Sequence, residues 1–308
     1  MDPAVGDLQQ PSTFSDLYFK LYDDGHYWVE VLNWWASDLN IHDHDFSGVQ
    51  FQLSGKSLDV TFKFQGDDIQ EGVQPGRFDI NQATVWTPGT ASVVLPGDAA
   101  PHSVCHLNLP TVSLLFRTYP VAELGPQRNY FPPDVRGSYK VATTAMRTRL
   151  KIMRMLSRSD PDAFREAFRG TTQGQTVQAN LFTVIKMTDI LFTPQYSALL
   201  AELASSDVLL GDVVVNAGAH YRSTDFLKAL MKERPGSGSL GDGSVSIAAL
   251  ASSWDEHSLN MILSQLSDAG WKTDVGGALS RAVGDGSLAG AGDADRILRR
   301  YGLTMADV

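Results

Sequence analysis

Between Tyr27 and Thr118 the chain is cut into short β-branched and aromatic runs by Gly, Pro, Asn and Asp. That punctuation reads as antiparallel β-structure. Candidate strands are YWVEVLNW, GVQFQLSG, LDVTFKF, GRFDI, TVW, SVVLPG, HSVCHL and TVSLLFRT, with turn signals at Gly66-Asp67-Asp68, Pro75-Gly76, Pro88-Gly89 and Pro96-Gly97. About eight strands in about ninety residues make a jelly-roll or a closed barrel.

The pattern breaks at LGPQRNYFPPDVRG, where alternation ends. Beyond it, ATTAMRTRLKIMRMLSRS, DPDAFREAFRG, ANLFTVIKMTDILF, PQYSALLAELASS and STDFLKALMKER space apolar residues three and four apart, and Asp160-Pro161 marks a helix start. VLLGDVVVNAG fits a buried strand or a buried helix. The expected class is α+β: a polar lead-in over 1–25, an antiparallel β-barrel over 26–120, a Pro-rich junction over 121–140 and a mainly helical domain over 141–308. Two Gly-rich stretches, PGSGSLGDGS and VGDGSLAGAGDAD, read as connections between later helices. Gly236, Gly238, Gly241 and Gly243 are followed by no Lys-Ser or Lys-Thr, which argues against a phosphate loop.

With 25 Lys and Arg against 35 Asp and Glu, the net charge is -10, which opposes attraction to nucleic acid or anionic lipid. Cys105 is the only cysteine, so neither an intrachain disulfide nor a thiolate cluster is available. No apolar stretch reaches the length of a membrane span, and the opening residues lack the form of a secretory signal. A cytoplasmic setting without membrane contact is the expectation, and a homodimer is compatible with it.

The chemistry concentrates in the histidines. In Ile41-His42-Asp43-His44 two imidazoles stand two residues apart, which on a strand places both on one face. A second group, His102-Ser103-Val104-Cys105-His106, has an even offset that again shares a face. Pairing these strands would complete a three-nitrogen site. His26, His220 and His257 have no ligand spacing.

IHDHDFSGVQFQLSGKSLDVTFKF resembles the first motif of the cupins. The glycine eleven residues after His44 and the upstream run HYWVEVLNWWASDLN resemble the cysteine dioxygenase branch in particular. VVLPGDAAPHSVCHLNLPTVSLLFRT resembles the second motif, with His102 in the place of the third ligand. The resemblance covers about residues 26–118. It implies a jelly-roll holding mononuclear Fe(II) on His42, His44 and His102, with open positions for a small-molecule substrate and dioxygen. Nickel, manganese, copper and zinc are the alternative metals, since imidazole binds several of them. The implied activity is that of an oxygenase acting on a small polar, amino-acid-like or thiol substrate. A cupin using its metal as a Lewis acid, for isomerase, lyase or hydrolase chemistry, is the second reading, and a non-enzymatic sensor the third.

The sequence departs from that family at several points. Gly48 stands where many cupins carry a ligating glutamate and some thiol dioxygenases a crosslinked cysteine. Ser113, Leu115 and Arg117 replace most of an inward serine–histidine–tyrosine set, and Lys20 is the nearest cation to a missing upstream arginine. Arg117 therefore becomes the candidate anchor for a substrate carboxylate or phosphate, by virtue of its planar fork. Alternation from Gly48 turns Gln50 and Gln52 inward as substrate contacts, and sends Val49, Phe51 and Leu53 outward against a second layer. His106 and Tyr119 are the candidates for proton handling, His106 from behind the ligands.

Overall fold

A computed structural model describes residues 15, 17–35, 37, 39–69, 72–132, 135–138, 144–232, 242–284, 291–301 and 304. Its β-strands are β1 (Leu17–Asp23), β2 (Tyr27–Trp34), β3 (Ile41–His44), β4 (Gly48–Ser54), β5 (Ser57–Gly66), β6 (Val73–Trp86), β7 (Ala91–Val94), β8 (Gly97–His106), β9 (Thr111–Thr118), β10 (Arg128–Phe131) and β11 (Val135–Ser138). The helices follow: α1 (Thr144–Ser159), α2 (Pro161–Thr172), α3 (Val177–Lys186), α4 (Thr188–Leu191), α5 (Ser197–Ala204), α6 (Val208–Lys232), α7 (Asp242–Ser252), α8 (Glu256–Asp268), α9 (Val275–Gly284) and α10 (Ala291–Arg299). The α+β class, with an antiparallel jelly-roll barrel first and helices after it, is the observed one.

Several boundaries differ from the sequence reading. Within the expected lead-in, Leu17–Asp23 forms β1, because pairing with β2 supplies a ladder that weak local alternation does not announce. GRFDI and TVW belong to one fourteen-residue strand, β6, which runs through Pro75-Gly76. A Cβ at Gly76 would stand 2.3 Å from the Gln65 carbonyl, so that glycine serves close strand approach and not a turn. The Pro-rich junction holds the hairpin β10–β11, with Arg128 opposite Ser138 and Phe131 opposite Val135. VLLGDVVVNAG lies in α6. Of the Gly-rich stretches, residues 235–241 and 285–290 lie outside the described residues, as do Gly236, Gly238 and Gly241; Asp242 and Ala291 open α7 and α10.

By contacts the chain divides into two units that do not follow chain order: Met1–Lys63, Asp79–Gly125 and Leu227–Val308 form one, Phe64–Phe78 and Pro126–Phe226 the other. In the second unit Val73, Phe131 and Val135 share a core with Met146, Met153, Phe164, Phe168 and Met187, the methionines acting as gap-fillers. Its helix α2 begins as the sequence indicates: Asp160 accepts a hydrogen bond from the Ala163 amide at 3.0 Å, with Pro161 at the first helical position.

In the first unit a five-stranded sheet has the order β1-β2-β9-β4-β7, and β3, β8, β5 and β6 are successive neighbours in a second sheet. The inner face of the five strands is mixed: Leu32, Val94 and Leu115 are buried on it beside charged and amide side chains. Lys20, Glu30, Gln52 and Arg117 point inward and are buried. Phe51, Leu53, Val93 and Phe116 point outward and are exposed. Gln50 and Gln52 thus face inward as the alternation indicates, but Phe51 and Leu53 meet no second layer among the described residues.

Candidate metal centre

The β3–β8 ladder places His42 directly opposite His102, so two histidines sixty residues apart become cross-strand neighbours. The register shifts between His42 and His44, and His44 pairs with Gly97. The turn into β3 passes through Leu39 at φ 48°, a left-handed conformation for a residue with a side chain. It delivers the Asn40 carbonyl to His42 Nδ1 at 3.0 Å.

His42, His44 and His102 each offer a ring nitrogen, and these atoms lie within 4.8 Å of one another. The protons can be placed from the partners. A carbonyl oxygen only accepts, so His42 Nδ1 carries the hydrogen and leaves Nε2 a lone pair. His102 Nδ1 stands 2.8 Å from Asp59 Oδ1, a buried carboxylate, and donates to it. His102 Nε2 is thereby left as a donor to a cation, in the carboxylate–histidine arrangement common behind metal ligands. His44 Nε2 lies 2.9 Å from that nitrogen. Two nitrogens at right angles on one ion, with bonds of about 2.0–2.1 Å, stand about 2.9 Å apart, so the His44–His102 pair has the spacing of two ligands on one divalent cation. Burial first, then the neighbouring imidazoles of His42 and His102 and the Arg117 cation, hold the His44 pKa well below the usual 6.5. His44 is therefore neutral at physiological pH, the form that binds metal.

Beside the triad, Phe46 joins two features. Its ring is 4.7 Å from the His44 ring, and the Arg117 guanidinium sits 3.3 Å from its centroid and 4.4 Å from that of Trp28. Arg117 faces Glu30 Oε1 at 3.8 Å and Asp45 Oδ1 at 3.9 Å, and its buried Nε has no hydrogen-bond partner. Burial lowers its pKa, against the two carboxylates. Glu30 accepts from the Trp28 indole through Oε2, while Oε1 is buried without a hydrogen-bond partner. Tyr18 faces the same carboxylate, and burial followed by Glu30 pushes its hydroxyl pKa above the usual 10.0. No local pattern marks Glu30 or Tyr18, since only the β1–β2–β9 register brings them to Arg117.

The remaining candidates fall at different distances from this cluster. Gln50 donates to Ser113 Oγ at 3.1 Å, and Gln52 donates to the Ser54 carbonyl at 2.9 Å while its buried Oε1 has no hydrogen-bond partner. His106 is outside the three-histidine group; its Nδ1 meets Ser57 Oγ at 3.0 Å, and its ring stacks on Trp34 at 5.0 Å. Tyr119 is exposed and donates to Asp23 Oδ1 at 2.6 Å, which raises its pKa. Gly48 lies opposite Arg117, and a Cβ there would stand 2.6 Å from the Phe116 carbonyl. The backbone itself thus excludes a ligating side chain at that position. Gly55, eleven residues after His44, turns β4 into β5 at φ 76°, where a side chain would also press on Thr111.

No family model matches the chain, and no curated protein matches it. Solved structures similar to it include the DMSP lyase DddQ from Ruegeria pomeroyi DSS-3 (16% identity, 33% of this chain and 46% of that chain, TM-score 0.23). An RmlC-like cupin from Shewanella frigidimarina NCIMB 400 (16%, 34% and 77%, 0.22) and a cupin-like protein from Thermotoga maritima (14%, 40% and 77%, 0.25) are further examples. The match spans about half the length of the DMSP lyases. No described helix is long and apolar enough to cross a membrane. The Shewanella and Thermotoga proteins are described as a cupin and a cupin-like protein, and the case for a metal rests on the triad itself.

Proposed function

We propose that this protein is a cupin-type metalloenzyme in which His42, His44 and His102 hold Fe(II), and that it oxygenates a small polar, amino-acid-like or thiol substrate. The observation that carries this reading is the convergence of three ring nitrogens, two of them with the opposite nitrogen tied to an acceptor. Bound there, the metal would supply Lewis acidity and open positions for substrate and dioxygen.

The chain's own residues do the rest. Arg117, packed on Phe46 and Trp28, presents guanidinium N–H groups that orient an anionic group of the substrate. Phe46 and Trp28 keep water from that contact. Gln52 Oε1, buried without a hydrogen-bond partner, accepts from a substrate N–H or O–H. Asp59 fixes the His102 ring and its tautomer.

Three neutral donors leave the full dipositive charge on the ion, which equally suits Lewis-acid lyase or isomerase chemistry, and this is the second reading. Metal analysis of protein purified without added metal, followed by anaerobic Fe(II) loading and oxygen-consumption assays with small amino and thiol acids, separates the two. Oxygen uptake is the expected result; turnover without oxygen would transfer the assignment to the second reading, and failure to bind any divalent metal would remove both. His102→Ala should abolish stoichiometric metal binding and His106→Ala should retain it.

A further inference from the structure

The outer face of the five-stranded sheet is a surface that the metal centre does not explain. Across β2, β9, β4 and β7 the outward positions form one continuous row, Val29–Phe116–Val49–Val93. A second row runs through all five strands as Phe19–Val31–Leu114–Phe51–Ala91. Tyr27 extends the first row, its ring 4.6 Å from Phe116. Every charged side chain on these strands apart from the β1 terminus belongs to the inward set of Lys20, Glu30 and Arg117.

We propose that this face is where a second copy of the chain docks, in a two-fold symmetric dimer. The first argument is area. Leu17, Phe51, Leu53, Val93 and Phe116 are 39% to 66% exposed. With the half-buried Phe19, Val29, Val31, Val49 and Leu114, a face of this size leaves roughly 600 Å² open, the top of the range for a monomer's largest apolar patch. Two such faces reach the ~1,200 Å² at which stable interfaces begin.

The second argument is charge. Each chain carries a net charge of -10, so two copies repel one another wherever acidic surfaces meet. The two rows contain no group charged at neutral pH, which makes them a region where like-charged copies approach without facing charges. The same absence of Lys and Arg gives an anionic membrane nothing to hold. A two-fold contact sets this same uncharged patch against itself, so no charged partner surface is required.

Sedimentation velocity of the full-length protein from about 1 to 100 µM tests this, at low salt and again with sodium sulfate. The expected result is a dimer that tightens with sulfate, because salt screens the repulsion and strengthens apolar burial. Val93→Lys and, separately, Phe51→Lys should each weaken dimerisation at least tenfold, with circular dichroism and metal stoichiometry unchanged. Ile152→Lys, a comparable exposed change on α1, should leave the dimer intact. A wild-type monomer across the range would overturn the proposal. Binding of the dye anilinonaphthalene sulfonate to that monomer would then point to a different partner, and failure to bind it would point to cover by the chain's own residues. A dimer unaffected by both sheet variants overturns it as well.

Discussion

Asp59 shows how much of a metal centre can depend on a residue that touches no metal. Its carboxylate accepts a hydrogen bond from His102 Nδ1–H at 2.8 Å, and so leaves Nε2 of that ring with the lone pair that a metal would take. Asp59→Asn keeps the shape but weakens that hold, and should lower metal affinity about 10- to 100-fold, measured by calorimetric titration. Unchanged affinity would mean that the His102 ring is oriented by something else. Gly48 is the converse case, a residue defined by what it lacks. Because a Cβ there meets the Phe116 backbone at 2.6 Å, Gly48→Ala should cost about 1–3 kcal/mol in urea unfolding, as overpacking commonly does. The glutamate that many cupins carry at this point therefore cannot be restored here by mutation alone.

Hairpin β1–β2 shows what a strand edge does with charge. Asp23 ends β1, where Lys20 at 2.8 Å, then Tyr119 at 2.6 Å and the Gly25 amide, hold its pKa down to about 2 from 3.8. A depressed carboxylate favours the folded state above the unfolded value of 3.8 and loses that contribution as pH falls toward 2. Removing the phenol in Tyr119→Phe should therefore move the Asp23 pKa upward, read from a carboxyl-detected NMR titration. A pKa that stays put would mean that Lys20 alone sets it. The same bond ties the end of β9 to the end of β1, so Tyr119 is an element-level fastening in this fold.

At the scale of the molecule, metal binding and stability are one measurement. A cation that binds only the folded chain stabilises it by about 2.7 kcal/mol at a concentration of 100 times its dissociation constant. Chelation should lower the melting temperature of the native protein and leave that of His102→Ala where it was. Equal shifts in both would place the binding elsewhere. The five-stranded sheet belongs to this scale too: buried charged and amide groups and exposed apolar groups lie on opposite faces of the same five strands.

Much of this architecture was legible without coordinates. The His-x-His spacing on a strand, the α+β division and the Asp160-Pro161 helix start follow from local rules of alternation, capping and turn chemistry, while His102 as third ligand and Gly48 in place of a carboxylate follow from the cupin resemblance. Strand β1, the unbroken β6 and the β10–β11 hairpin did not, because their ladders are made with partners distant in sequence and their local alternation is weak or interrupted by Pro and Gly. Alternation alone puts His102 and His106 on one face, and only the resemblance favoured His102; cross-strand register sets His102 opposite His42 and His106 beside Ser57. The sequence by itself determined which residue types face one another along each strand, since side-chain alternation has a period of two. Only the tertiary structure decided which strands meet, and so where a three-histidine cluster, a buried Arg117–Glu30 pair and an open apolar sheet face arise, because burial is a property of neighbours and not of the chain that carries them.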